Sequence, residues 1–181
     1  MTIIPTSIDD CFILEPRVFK DERGYFFETF NQHIFNKATG LNVKFVQDNE
    51  SFSSKGVLRG LHYQIGEFTQ AKLVRVVKGS VLDVAVDIRK GSKTYGEHIS
   101  VELSETNKRQ LFVPRGFAHG FVVLSETAIF SYKCDSFYDK ASERGIIYND
   151  PNLNIDWQLS ENELIISEKD LILPKLDNAD L

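Results

Sequence analysis

The sequence has little cysteine and no excess of positive charge. The 181 residues include two cysteines, Cys11 and Cys134, and neither has a Cys-x-x-Cys or zinc-finger spacing. We therefore expect free thiols in a reducing compartment and no disulfide framework. Lysine and arginine total 21 against 26 aspartate and glutamate residues, a formal net charge of −5. Because a nucleic-acid binder needs a basic face, this balance argues against nucleic acid as a partner. It still permits a locally basic pocket for a small anion.

Long apolar runs are also missing. No segment approaches the roughly 18 apolar residues of a membrane span, and "MTIIPTSIDD" lacks the basic flank and apolar core of a signal peptide. We expect a cytoplasmic protein with no membrane contact. A hydrophobic content of 42% with 14 phenylalanines is sufficient for a core, and the length predicts a single domain over residues 1–181.

What the chain does contain is a series of short apolar β-type runs. They are separated by Gly, Pro, Asn or Ser-Glu about every eight to twelve residues, a spacing typical of a β-sandwich or barrel. The clearest signal is residues 72–96, where Lys78-Gly79-Ser80 between two alternating runs predicts a β-hairpin. Its second arm places Asp83 on the opposite face from Leu82 and Val84. Further runs are residues 56–64, 98–104, 109–114, 119–125 and 128–134.

Helices are predicted only towards the two ends of the chain. In residues 31–40, Asn31 is a suitable N-cap and Gly40 a suitable C-terminal stop. Residues 160–170 begin with Ser160 and Glu163 at capping-box spacing and predict a second helix. The sequence therefore predicts an all-β core with a few short peripheral helices.

Three polar clusters stand out against this β background. Residues 18–30 contain Arg23 and Glu28, for which a surface loop with a salt bridge is an equally good interpretation. Residues 113–124 contain a Pro-x-Gly-x-x-His turn that places His119 at the start of a strand. The remaining cluster, residues 45–64, contains Gln47, Asn49, Arg59 and His62.

A metal site is one interpretation of these histidines, because in metal-binding barrels of the cupin type Gly and five further residues precede His-x-His. Here Gly56 is followed after five residues by His62, but Gln64 stands where the second histidine belongs. A divalent site needs three or four donors, and only His62 and His119 are suitable. The pattern favours a cupin-type barrel that has lost its metal and kept its cavity.

Several cationic side chains come from these predicted strands, and some of them can converge inside a barrel. Burying cations without partners is unfavourable, so the natural occupant of such a cavity is an anion, and a phosphate or diphosphate suits the arginine fork. The candidates are Arg59, His62, Lys72, Arg75 and His119.

Five segments, in order, resemble one family closely: "DNESFSSKGVLRGLHYQ", "KLVRVVKGSVLDVAVDIR", "NKRQLFVPRGFAHGFVVLS", "ERGIIYNDPNLNIDW" and "SEKD". The chain is similar over about residues 16–176 to the dTDP-4-dehydrorhamnose 3,5-epimerases of the cupin superfamily. The resemblance implies a jelly-roll β-barrel or sandwich acting on a dTDP-linked 4-keto-6-deoxyhexose. It also implies inversion at C3 and C5, no cofactor or metal, and a homodimer with shared sites.

The resemblance assigns four catalytic positions. His62 matches the base that removes the protons beside the ketone, and histidine is the side chain most often used for proton transfer near neutral pH. Asp170 matches the carboxylate that orients His62, although "SEKD" also fits the polar end of a capped helix. Tyr132 matches the proton donor on the opposite face of the sugar. The alternative is a structural barrel tyrosine whose hydroxyl is hydrogen-bonded to a neighbour. Lys72 matches the cation beside the C4 oxygen.

Further positions match residues that bind the substrate: Arg23, Glu28, Gln47, Asn49, Arg59, His119, Tyr138, Glu143 and Lys169. Arg23 and Glu28 lie far upstream of the barrel strands, so they are candidates to complete the partner subunit's site. Asp83 is expected to contact His119. The sequence departs from the family pattern at Ala71, where the family often has glycine, and in the loop at residues 65–68. Both positions lie near Lys72, so the resemblance does not predict the shape of that loop, but it still predicts the reaction.

Other functions fit parts of the same pattern. They are a single-carbon epimerase or a 3,4-ketoisomerase on a related nucleotide sugar, a non-catalytic nucleotide-sugar binder, and a metal-dependent cupin oxygenase or isomerase. The presence of both His62 and Tyr132 favours inversion at two carbons. A binder would not need a pairing of His62 with Asp170, and the missing ligands count against the metal enzyme.

Overall fold

The computed structural model describes all 181 residues and contains fourteen β-strands, two short α-helices and three 3-10 turns. The strands are β1 (Thr2–Pro5), β2 (Phe12–Glu15), β3 (Phe19–Asp21), β4 (Gly24–Phe26), β5 (Gln47–Ser54), β6 (Val57–Gln64), β7 (Lys72–Lys78), β8 (Ser80–Asp87), β9 (His98–Ser104), β10 (Gln110–Val113), β11 (Phe117–Val123), β12 (Thr127–Cys134), β13 (Glu143–Gly145) and β14 (Ile165–Ile166). The helices are α1 (Gln32–Thr39) and α2 (Glu168–Leu171), and the 3-10 turns are Gly66–Phe68, Glu161–Glu163 and Leu176–Asn178.

Two antiparallel sheets face each other. The first sheet has the strand order β1-β2-β10-β7-β12-β5, and the second has the order β13-β6-β11-β8-β9. Strand β14 adds to β6 in parallel, and β3 and β4 form a separate two-stranded hairpin. The predicted all-β sandwich with few short helices is confirmed.

The main hydrophobic core lies between the sheets. Val74, Val76 and Phe130 from the first sheet meet Ala85 and Phe121 from the second. Inward and outward side chains alternate along each strand, as the pleat requires. Apolar side chains fill one part of the space between the sheets, and polar side chains such as His62, Lys72 and Tyr132 line a cavity in the rest.

The outer faces of both sheets are also covered. Phe35 of α1 is fully buried against the first sheet, and Trp157 and Leu176 of the C-terminal segment pack on the second. Strand β8 shows how the faces divide: Leu82 and Val84 belong to the outer cluster of the second sheet, whereas Asp83 points inward. This is the division that the sequence pattern predicts.

The predicted hairpin at residues 72–96 is wrong. Strands β7 and β8 form as expected, but they lie in different sheets, and the turn at Gly79 carries the chain from one sheet to the other. Gly79 has φ +79°, and a Cβ there would lie 2.1 Å from the Thr127 carbonyl oxygen. A turn-forming glycine between two alternating runs is equally compatible with a crossing between sheets, because alternation does not specify the pairing partner.

The helix predictions have different outcomes. Helix α1 is confirmed with both caps: the Asn31 side chain accepts a hydrogen bond from the Ile34 N–H, and Gly40 adopts the left-handed conformation. One continuous helix over residues 160–170 is wrong. The Ser160–Glu163 capping box is present, but it opens a single 3-10 turn. Ile165 and Ile166 then pair with β6, because β-branched residues at an open strand gain more from sheet pairing than from a helix.

Two further observations concern the cysteines and the helices. Cys11 and Cys134 are buried free thiols, as predicted. Burial raises the pKa of Cys11 to about 12 and that of Cys134 to about 11, so both are held as unreactive thiols. No helix in the chain is both long and apolar enough to cross a membrane.

Candidate active site

A bulge in strand β6 brings Arg59 and His62 to the same face. In a regular strand, residues three apart point to opposite faces. Between the pairs His119–His62 and Phe121–Arg59, however, β6 contains one residue more than β11. The side chains of Leu58 and Leu61 therefore both enter the outer core, while Arg59 and His62 both line the interior cavity.

Two glycines make this bulge possible. Gly60 has φ +133°, and a Cβ there would lie 2.6 Å from the Cα of Gly120. A Cβ on Gly120 would in turn lie 2.7 Å from the Arg59 carbonyl oxygen. The two backbones approach each other where neither residue has a side chain.

His62 forms a close pair with Asp170. Its Nε2 atom lies 2.8 Å from Asp170 Oδ1, and the Gly60 N–H donates to Asp170 Oδ2 at 3.4 Å. The carboxylate is 5% exposed and the imidazole 28%. Burial acts to raise the pKa of the Asp170 carboxyl, but the hydrogen bond and charge of His62 outweigh it and lower the pKa below its ordinary value. Asp170 is therefore an ionised acceptor for the imidazole N–H.

The C-terminal segment holds Asp170 in this position. Ile165 and Ile166 pair with Val57 and Leu58 of β6, which anchors the segment beside the bulge. Ser167 then caps the short helix α2, and its side chain accepts a hydrogen bond from the Asp170 N–H. The backbone N–H of Asp170 thus completes the helix cap, while its carboxylate pairs with His62.

A second buried histidine–carboxylate pair lies on the neighbouring strands. His119 Nε2 lies 2.9 Å and 3.1 Å from the two carboxylate oxygens of Asp83, which is fully buried. The expected contact between Asp83 and His119 is therefore present. It fixes the plane of the His119 ring, which also stacks on Phe130 with a centroid distance of 6.2 Å.

Two adjoining cavities converge on three side chains. The larger has a volume of about 540 Å³ and the smaller about 150 Å³, and His62, Lys72 and Tyr132 line both. Of the other predicted site residues, Arg59, His119, Lys169 and Asp170 line the larger cavity. Gln47, Asn49, Tyr138 and Glu143 line the smaller one.

Lys72 and Tyr132 face the cavities from the first sheet, opposite His62 in the second. Burial, which disfavours the ammonium form, lowers the pKa of Lys72. Burial likewise raises the pKa of the Tyr132 hydroxyl, which keeps it protonated at neutral pH. Neither side chain makes a hydrogen bond or an ion pair within the chain, so both polar ends are available to a ligand.

Glu143, Tyr138 and Lys169 form a charged cluster at the smaller cavity. Lys169 Nζ lies 2.6 Å from Glu143 Oε2, and the Tyr138 hydroxyl donates to the same oxygen at 3.1 Å. Burial acts to raise the pKa of Glu143, but Lys169 outweighs it and the pKa is lowered. The cluster ties the loop before β13 to helix α2.

Two predicted site residues lie outside these cavities. Arg23, at the tip of the β3–β4 hairpin, is 85% exposed and pairs only with Asp21. Glu28 is exposed and accepts a hydrogen bond from the Asn31 side chain. Arg75, one of the cations considered for the interior, points to the outer face of the first sheet beside Leu73. Side chains alternate between the two faces of a strand, so Arg75, three residues from the inward-facing Lys72, points outward.

The inward serines of β5 are site residues that were not predicted from the sequence. Ser51 lines the larger cavity, and the buried Ser53 hydroxyl accepts a hydrogen bond from Arg59 Nε at 3.2 Å. Alternation from the recognised Gln47 and Asn49 places both serines on the same face, which is the signal that could have revealed them. No three His, Cys, Asp or Glu side chains lie close enough together to hold a metal ion.

A jelly-roll sandwich of the cupin type whose interior carries a histidine–carboxylate pair, a free lysine and a free tyrosine defines an acid–base enzyme. A family model described as dTDP-4-dehydrorhamnose 3,5-epimerase matches residues 5–178. The enzyme of that name from Shigella flexneri is 56% identical over 180 residues, covering 99% of this chain and 98% of its own. The chain belongs to the dTDP-4-dehydrorhamnose 3,5-epimerase family, whose members are isomerases.

Two solved structures support the same assignment. The dTDP-4-dehydrorhamnose 3,5-epimerase of Elizabethkingia anophelis has a TM-score of 0.95 and 57% identity, covering 98% of this chain and 97% of its own. The dTDP-6-deoxy-D-glucose-3,5-epimerase of Legionella pneumophila, in complex with dTDP-4-keto-L-rhamnose, has a TM-score of 0.95 and 51% identity. It covers 99% of this chain and 94% of its own. The predicted family and the cupin-type jelly-roll fold are confirmed.

Proposed function

We propose that the chain is a dTDP-4-dehydro-6-deoxy-D-glucose 3,5-epimerase that forms dTDP-4-dehydro-L-rhamnose, a step of dTDP-L-rhamnose biosynthesis. The observation that carries this function is the His62–Asp170 pair, held at 2.8 Å in a cavity also lined by Lys72 and Tyr132. These are the groups that removal and return of a proton beside a ketone require. The complex of the Legionella pneumophila relative with dTDP-4-keto-L-rhamnose supports the substrate class.

His62 is the proposed base. Because ionised Asp170 only accepts hydrogen bonds, the imidazole donates through Nε2 and keeps Nδ1 free as the basic atom. His62 then removes the proton from C3 or C5, the two carbons beside the C4 ketone. Asp170 stabilises the imidazolium that forms, in the same way as the carboxylate of a hydrolytic triad.

Lys72 and Tyr132 serve the other half of the reaction. Removal of a proton beside the ketone places negative charge on the C4 oxygen, and the unpaired Lys72 ammonium is the donor suited to that charge. Tyr132 belongs to strand β12 of the first sheet, whereas His62 belongs to strand β6 of the second. Base and acid thus face the sugar from opposite walls. Protonation by Tyr132 on the face opposite His62 inverts the carbon.

The remaining residues hold the substrate around this point. The sugar occupies the junction of the two cavities, and Arg59, with His119 and Lys169, faces the diphosphate in the larger cavity. Gln47, Asn49, Tyr138 and Glu143 complete the smaller cavity. The proton transfers need only these side chains, so we propose that neither a metal nor a redox cofactor takes part.

We propose that the protein acts as a homodimer with shared sites in the cytoplasm. Arg23, in the β3–β4 hairpin, and Glu28, just after it, are exposed and lie away from their own cavity. Phe19 and Phe26 of that hairpin are 50% and 71% exposed. An exposed aromatic hairpin favours docking on a second copy of the chain. The two free thiols support a reducing compartment.

Solvent deuterium exchange tests this function. The protein is incubated with dTDP-4-keto-6-deoxyglucose in deuterated water, with and without chelator, and C3 and C5 are followed by NMR. We expect exchange and inversion at both carbons at a rate that chelator leaves unchanged. Exchange at one carbon would indicate a single-carbon epimerase, and binding without exchange would indicate a non-catalytic binder. Loss of activity with chelator would contradict the metal-independent mechanism.

Tyr132→Phe separates the two halves of the reaction in the same assay. We expect turnover to fall by about 10²-fold, the contribution typical of a general acid, while some exchange at C3 persists through His62. Unchanged turnover would contradict the assignment of Tyr132 as the proton donor.

A further inference from the structure

Ser51 has a hydroxyl group that the protein itself does not use. Its Oγ atom is closed off from solvent and has no hydrogen-bond partner in the chain, whereas the unpaired ends of Lys72 and Tyr132 belong to side chains that are only partly buried. The residue lines the larger cavity. Buried polar groups are almost always hydrogen-bonded, because an unpaired one has lost its contacts with water and gained nothing. Alanine would fill the same space in β5 without that cost.

The surroundings of Ser51 indicate what it binds. Ser53, two residues along the same face of β5, accepts a hydrogen bond from Arg59 Nε at 3.2 Å. This contact fixes the Arg59 side chain, but the terminal N–H groups of its guanidinium donate to no group of the protein. No carboxylate pairs with Arg59 either. The Ser51 hydroxyl, from β5 of the first sheet, and the Arg59 fork, from β6 of the second, are therefore unpartnered donors of the same cavity.

Two donors of one cavity that bond no carboxylate of the chain fit a phosphoryl group better than a sugar hydroxyl. A phosphate offers several acceptor oxygens and a charge that strengthens each hydrogen bond, whereas a hydroxyl needs one donor and one acceptor. We propose that the Ser51 side chain rotates about its Cα–Cβ bond when substrate binds and donates a hydrogen bond to a phosphoryl oxygen of the substrate diphosphate, whose other oxygens Arg59 binds. This assignment rests on the proposed function and adds a residue that contacts the substrate.

Ser51→Ala tests the assignment, and Ser54→Ala, an exposed serine of the same strand, is the matched control. Binding of dTDP is measured by calorimetry, thermal unfolding is measured without ligand, and exchange at C3 and C5 is recorded at saturating substrate. For S51A we expect the dTDP dissociation constant to rise about tenfold, which corresponds to about 1.4 kcal/mol. The melting temperature without ligand should be equal or higher, because an unpaired buried hydroxyl has been removed. The saturated exchange rate should stay within a few-fold of wild type, and S54A should match wild type throughout.

Equal dTDP affinities of wild type and S51A would overturn the assignment. A lower melting temperature of ligand-free S51A would also overturn it, since it would mean that the hydroxyl stabilises the fold. Loss of affinity only for the sugar nucleotide, and not for dTDP, would place the contact on the sugar and contradict the diphosphate. Failure of the proposed function is seen separately, as absence of exchange in the wild-type protein.

Discussion

His62 and Asp170 are 108 residues apart in the chain, yet their side chains lie 2.8 Å apart. One comes from a strand of the second sheet, and the other comes from a short helix that follows the C-terminal strand β14. The parallel pairing of β14 with β6 joins the two, and the Gly60 N–H contacts the same carboxylate. The C-terminal segment is therefore part of the proposed catalytic machinery as well as a cover for the outer core.

Replacing Asp170 by asparagine removes the charge and keeps the shape. The amide can still accept the Gly60 N–H, but it does not stabilise an imidazolium at His62. We expect D170N to lower exchange at C3 and C5 by about 10³-fold, within the range for general base catalysis, with little change in dTDP affinity. The control is D156N, at an exposed aspartate that lines neither cavity. An exchange rate for D170N within a few-fold of wild type would refute the role of the carboxylate.

The lowered pKa of Lys72 predicts at which end of the pH range the exchange rate falls. Its pKa is lowered by burial, and the ammonium is the active form. As the pH rises through that lowered pKa the ammonium is lost, so the exchange rate should fall at a pH below the ordinary lysine value of about 10.4. Arginine stays charged over this whole range. K72R should therefore be slower at the optimum but keep its rate to higher pH. The same alkaline limb in wild type and K72R would show that another group titrates.

Gly60→Ala tests the bulge that turns Arg59 and His62 to one face. The added Cβ would lie 2.6 Å from the Gly120 Cα and 2.9 Å from the His119 carbonyl oxygen. We expect a loss of about 3 kcal/mol in the free energy of unfolding by urea. The exchange rate should fall by about 10²-fold or more, because a displacement of about 1 Å is enough for that.

Gly24→Ala is the matched control for stability. Gly24 has φ +129°, close to the +133° of Gly60, but a Cβ there meets nothing within 4 Å. G24A therefore carries the backbone strain without the collision and should cost about 1 kcal/mol. Equal losses in the two variants would mean that backbone strain, and not the close approach of β6 and β11, accounts for the effect.

Mixed dimers test whether Arg23 completes the partner's site. R23A and H62A should each be nearly inactive alone. If the hairpin reaches into the other subunit, a mixed dimer has one site with both changes and one with neither. Co-expression should then restore activity to about a quarter of wild type, as expected for random pairing in a twofold-symmetric dimer.

The control for this experiment is the pair H62A and D170N, whose changes lie in one cavity of the same subunit. Every site of their mixed dimer carries a change, so co-expression should restore nothing. Absence of recovery for R23A with H62A, or a monomer in light scattering, would contradict the shared site.

Much of this fold was predictable from local sequence patterns. Strand β9 matches the predicted run at residues 98–104, and α1 has the predicted caps, because alternation and capping are local properties. The pairing of strands is not local. The Gly79 turn fits a hairpin and a crossing equally well, and only the packing of β7 and β8 against different neighbours decides between them.

The site, like the fold, was predictable where local sequence signals define it and not where strand pairing does. The sequence pattern pointed to the interior cations, and the resemblance supplied roles for His62, Lys72 and Tyr132. The convergence of Arg59 and His62 depends on one extra residue in β6 relative to β11, which no periodicity reveals. Ser51 was missed because a single serine in a strand is unremarkable until its hydroxyl is found to be unpaired in a cavity.

The most direct test of His62 as the base is the rate at which C3 and C5 of dTDP-4-keto-6-deoxyglucose take up solvent deuterium in wild type and H62A. His33→Ala, at an exposed histidine of helix α1, controls for the loss of an imidazole elsewhere. We expect exchange at both carbons in wild type and H33A, and none at either carbon in folded H62A that still binds dTDP. Exchange by H62A at a rate near that of wild type would contradict the assignment of His62 as the base.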